Sequence, residues 1–94
     1  MIKENVTLIE KEAILGLSFT DLEVLSTEVE RNIRARKLYR AMLLGNNYKH
    51  KTHITFSTAN GINRVNTTIW ALTEQFVILK GGILIPVNTV WDVQ

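Results

Sequence analysis

Apolar residues recur at helical spacing through the first half of the chain and alternate with polar ones through the second. Thr7-Leu8-Ile9-Glu10 has the form of a capping box. It predicts a short helix from Thr7 to about Leu15, closed at Gly16, although β-branched Val6 and Ile9 also permit a short strand. Thr20-Asp21-Leu22-Glu23 is a second and clearer box, predicting a long helix to Leu44 that ends at Gly45-Asn46-Asn47. Two stripes follow that helix. Leu22, Leu25, Val29 and Ile33 keep i, i+3, i+4 spacing in its first half. Ala35, Leu38, Tyr39 and Met42 keep it in the second half, on nearly the opposite face. Either the helix kinks near Arg34 to Lys37, or its halves meet different partners. One partner would be the sheet, the other the N-terminal segment or a second subunit.

Beyond Gly45 the period becomes two. Asn60-Gly61 predicts a hairpin with a type I′ turn that pairs Ala59 with Ile62, a register that sets Phe56 against Val65, Ile54 against Thr67 and Thr52 against Ile69 on the core face. The other face would pair Ser57 with Arg64, Thr55 with Asn66, His53 with Thr68 and Lys51 with Trp70. A turn at Thr73-Glu74-Gln75 leads to Phe76-Val77-Ile78-Leu79, apolar on both faces and so read as a central, doubly covered strand. Gly81-Gly82 turns the next hairpin, setting Leu79 against Leu84 and Ile78 against Ile85. Pro86 marks an edge or a strand's end, and Asn88-Thr89 a turn before a last strand, Val90 to Val93.

These elements predict one α+β domain over residues 1–94. Its helical half spans 1–46 and its β half spans 47–94. The β half is a five-stranded antiparallel meander, forming a small bent sheet or a small barrel. The run Ile78-Leu79-Lys80-Gly81-Gly82-Ile83-Leu84-Ile85-Pro86-Val87-Asn88-Thr89-Val90 resembles the closing strands of Sm-like and SH3-like small barrels. There a strand, glycine turn and strand precede an Ile-Pro and a short turn into the closing strand. The resemblance implies that architecture over about residues 20–93 and assigns no binding residues. Its Thr-Glu-x-x-Val-Ile-Leu…Ile-Pro stretch is also similar to bacterial pleckstrin-like domains, which need more strands and a C-terminal helix. The chain is similar, too, to small bacterial proteins, a likeness that implies no function.

Composition narrows the chemistry. Of 94 residues, 46% are apolar and 21% charged, which suits a folded domain rather than a disordered one. Without cysteine, disulfides, thiolate catalysis and thiolate metal sites are excluded. With no signal-peptide core and no uncharged apolar run near the roughly 18 residues that span a bilayer, the expectation is a cytoplasmic protein with no membrane partner. The net charge of +2 conceals a division. Residues 1–30 carry seven acids and two bases, net −5; residues 31–94 carry nine bases and two acids, net +7. A polyanion partner, or neutralisation of the basic part by the acidic part, would explain it; acids early and bases late in one helix also suit its dipole.

The candidate residues point away from catalysis. His50 and His53, three apart on a strand, face opposite ways and lack a nearby carboxylate, so no metal site is expected. Ser57, Thr58, Thr67 and Thr68 lack an oriented base, and Gly81-Gly82 joins strands rather than opening a helix over a phosphate. No enzyme activity, cofactor or small-molecule substrate is expected. A basic group of Arg31, Arg34, Lys37, Arg40, Lys49, Lys51 and Arg64, with Trp70 paired to Lys51, suits RNA or DNA: cations meet phosphates and the indole stacks on a base. The leading expectation is a non-enzymatic assembly module, a homo-oligomer seamed by Leu22, Leu25, Val29 and Ile33 or by a sheet edge. Nucleic-acid binding through residues 31–73 is the alternative.

Overall fold

A computed structural model describes residues 5–94. Its strands are β1 (Val6–Leu8), β2 (Thr52–Thr58), β3 (Gly61–Thr67), β4 (Ile69–Leu72), β5 (Phe76–Leu79), β6 (Leu84–Pro86) and β7 (Val90–Val93), with one α-helix, α1 (Glu28–Tyr48). Short 3₁₀ helices cover Lys11–Gly16 and Val87–Thr89. The α+β class holds, but the five-stranded meander does not. One sheet has the order β1-β3-β2-β7 and the other β4-β5-β6. β1 runs parallel to β3, and β7 crosses back to pair with β2. Neither sheet closes on itself, so the arrangement is two open sheets.

Val6 and its neighbours form the strand rather than the short helix, with Ile9 N–H donating to Arg64 O (2.9 Å). Glu10 then precedes the 3₁₀ helix without closing a capping box. The long helix begins at Glu28, not Thr20. Its N-cap is Thr27, whose Oγ1 accepts from Glu30 N–H (3.1 Å) while donating to Glu30 Oε1 (2.9 Å). Thr20 Oγ1 instead accepts from Leu22 N–H in an irregular segment. Asn88 Nδ2 donates to Thr20 O and Leu22 O, and Val24 N–H donates to Asn88 O, fixing that segment over the turn before β7.

The two-faced helix resolves into one face. Arg34, Leu38, Ala41 and Gly45 are buried at i, i+4, i+7 and i+11, against β4 and β7. The stripe Leu22, Leu25, Val29 and Ile33 is not a helical stripe, because its first two members precede the helix. Leu25 is buried within the chain, whereas Leu22, Val29 and Ile33 are exposed.

The first hairpin keeps its predicted faces but shifts its partners by two. Thr58 pairs with Gly61, Phe56 with Asn63, Ile54 with Val65 and Thr52 with Thr67. A type I′ turn at Asn60-Gly61 needs positive φ at both residues, and only Gly61 has it (117°), so the loop is Ala59-Asn60. An even shift leaves each side chain on its own face, and Ile54, Phe56 and Val65 are buried. The second hairpin shifts by one: Ile78 faces Leu84 and Val77 faces Ile85. Its loop has three residues, since Leu79 N–H donates to Ile83 O (2.8 Å) across Lys80-Gly81-Gly82. β5 is central in its sheet, but only Val77 and Leu79 are buried. Pro86 ends the edge strand β6, where its missing N–H breaks no ladder. The core joins Leu38 and Ala41 of α1 to Ile54, Phe56, Ile69, Leu79, Ile85 and Val90, with Phe19 stacked obliquely on Phe56 at 6.0 Å.

Candidate nucleic-acid interface

Four lysines from three separate segments meet on one concave surface. Lys11 starts the 3₁₀ helix after β1, Lys49 caps α1, Lys51 leads into β2, and Lys80 opens the β5–β6 loop. With Glu10, Gly45, Asn66, Thr67, Thr68 and Trp70 they line a cleft of about 420 Å³.

Two backbone features bring them together. The first is Gly45. A Cβ there would lie 2.6 Å from Ile69 O and 2.9 Å from Thr68 Cγ2, so only glycine lets the helix approach β4 this closely. Gly45 therefore sits inside α1 rather than ending it. Gly45→Ala is expected to lower stability by about 1–3 kcal/mol. That is opposite in sign to the roughly 1 kcal/mol that alanine gains in helix propensity. A urea midpoint equal to or above the native one would contradict the close approach.

The second is the helix end. Lys49 adopts left-handed φ (54°), with its N–H on Gly45 O at 2.9 Å. This conformation costs an L-residue about 1–2 kcal/mol and is usually given to glycine or asparagine. Here it carries an ammonium group to the cleft. On the opposite wall, Lys80 N–H donates to Thr68 O (2.9 Å), fixing the loop to the β3–β4 junction. A Cβ on Gly81 would sit 3.8 Å from Lys11 Cε, so the Lys11 chain runs beside that loop. Lys11 Nζ also donates to Glu12 Oε1 (3.2 Å), and chiefly this bond holds the Glu12 carboxyl below its usual range. Trp70 is 49% exposed, so the helix does not cover it.

No protein-family model, curated protein or solved structure matches the chain.

The other predicted cations lie elsewhere. Arg34 is buried, with Nη1 and Nη2 on the two Glu23 carboxylate oxygens (2.7 and 2.6 Å) and Nη1 also on Val90 O (3.1 Å). Its Nε is the buried side-chain nitrogen left without a hydrogen-bond partner among the described residues. Arg31 donates to Leu25 O, Lys37 pairs with Asp92 (2.8 Å), and Arg64 Nε donates to Thr55 Oγ1. Arg40 is exposed beside His50 and Gln94, away from the cleft. So Lys49, Lys51 and Trp70 are brought together, and Lys11 and Lys80 join them unforeseen. Both histidines are exposed. Among the described residues, no three His, Cys, Asp or Glu side chains cluster to hold a metal, and no helix is long and apolar enough to cross a membrane.

Proposed function

We propose that the chain is a non-enzymatic module that binds single-stranded nucleic acid in the lysine cleft. The observation that carries this is the convergence of Lys11, Lys49, Lys51 and Lys80 beside a half-exposed indole. Single strands are held by basic grooves that follow phosphates while bases stack on aromatic rings. A Trp70 face offers that stack to any base, and Glu10 offers an acceptor to a base amino group. The lysine in left-handed conformation supports the reading, because strained backbone tolerated at a charged position marks a site that uses the charge. The small-barrel resemblance is part of the same proposal. Thr68 alone separates β3 from β4, so the chain passes from one sheet to the other there, and a 3₁₀ turn leads into β7 beside β2.

The test is fluorescence anisotropy of short labelled RNA and DNA at several salt concentrations. Contacts to three or four phosphates predict a log–log salt slope of about −2 to −3. Trp70→Ala is expected to weaken binding by about 5- to 150-fold, the cost of one lost base stack. Absence of binding at low salt, or equal affinity in Trp70→Ala, would refute the assignment.

A further inference from the structure

Away from the lysine cleft, a groove of about 530 Å³ is lined by the apolar Phe19, Phe76, Pro86 and Val87 and the acids Asp21 and Glu74, among polar Thr20, Gln75 and Asn88. Glu23 and Arg34 also line it, but they are spent on each other. Asp21 and Glu74 form no ion pair among the described residues. The groove therefore offers four apolar side chains and two carboxylates free of ion pairs, on a chain whose net charge is positive.

The outer face of α1 has the complementary character. Arg36, Tyr39, Arg40 and Leu43 fall at i, i+3, i+4 and i+7 and are all exposed. Neither arginine has an ion-pair partner among the described residues. This stripe is convex, apolar along Tyr39 and Leu43, and positive at both guanidinium groups. An amphipathic helix face laid in an apolar groove is a recurrent recognition mode, and guanidinium planes stack well on aromatic rings.

We propose that the groove of one copy receives the α1 stripe of another. Arg36 and Arg40 would meet Asp21 and Glu74, while Tyr39 and Leu43 enter between Phe19 and Phe76. A single contact leaves the pair one free groove and one free stripe, so association either closes, as a reciprocal dimer or a ring, or continues head to tail. The lysine cleft takes no part, so this association stands or falls independently of nucleic-acid binding.

Two exposed-surface variants test it. Arg36→Gln with Arg40→Gln disables the stripe and retains good helix formers; Asp21→Lys with Glu74→Lys disables the groove. Sedimentation of the native chain at rising concentration is expected to show mass rising above that of the monomer, and less so at high salt. Each variant alone should remain monomeric with unchanged circular dichroism. Their equimolar mixture should give a species of two chains and no larger, because one intact groove meets one intact stripe. A native chain monomeric at about 1 mM, where even a 4 kcal/mol contact would show, would overturn the proposal. So would self-association of either variant, or a mixture that stays monomeric.

Discussion

Replacing Glu23 with alanine is expected to lower stability by about 3 kcal/mol, the lower end of the cost of stranding a buried charge. Arg34 is only 6% exposed, and its two charge-assisted bonds to Glu23 compensate its burial. Without the carboxylate the guanidinium keeps only Val90 O, and Leu25 N–H loses its Glu23 acceptor. Arg34→Met should cost less. It strands Glu23, whose side chain is 31% exposed and can be hydrated where it stands. Adding Glu23→Ala to Arg34→Met should then cost little more. A double-mutant cycle measured by urea unfolding should thus give a coupling of about 2 kcal/mol. Simple additivity would mean that the pair is not what holds residues 20–25 to the helix.

Acid should reproduce part of this loss. Burial raises the Glu23 pKa, but the Arg34 and Leu25 hydrogen bonds and the charges of Arg34 and Arg31 outweigh it, leaving it below the ordinary 4.5. A carboxyl depressed in the folded state stabilises fully above its unfolded value, and that stability is lost as pH falls through the folded value. The native urea midpoint should therefore drop below about pH 4.5 more steeply than that of Arg34→Met.

The same pair explains why the sequence was only partly legible. Two capping boxes compete, Thr20 to Glu23 and Thr27 to Glu30, and local spacing favours neither. The second wins because Glu23 is drawn to Arg34, eleven residues on, which no local pattern announces. Gly45 looks like a helix stop from propensity, yet it is a contact point with β4, a partner more than twenty residues later. Alternation was more reliable, because burying Ile54, Phe56 and Val65 decides the face of every strand residue. Register depends on loop backbone: the first hairpin shifts by two within its faces, and the second by one, which parts Leu84 from the buried face of Leu79. Half of the cleft could be read, since Lys49 and Lys51 follow the helix end and Trp70 follows the first hairpin closely in the sequence. Lys11 and Lys80 could not, because the parallel pairing of β1 with β3 and the loop bond from Lys80 to Thr68 bring them in.

The lysine pair shared by pattern and structure gives the largest functional prediction. Lys49→Glu with Lys51→Glu is expected to weaken single-strand binding by at least about 100-fold at low salt, because two phosphate contacts become repulsions. The salt slope should shrink by about 1.4, the counterions two contacts release from a single strand. Folding is not the confounder, since both side chains are exposed. Lys49→Gly separates the two effects further. It removes one cation and relieves the left-handed strain, so stability should hold or rise by up to about 1 kcal/mol while affinity falls. A variant more stable and weaker at binding would show that the helix end tolerates its strain for the charge at the cleft. If Lys49→Gly bound as tightly as the native chain, the helix end would carry no phosphate contact, and the interface would have to rest on Lys11, Lys51 and Lys80 alone.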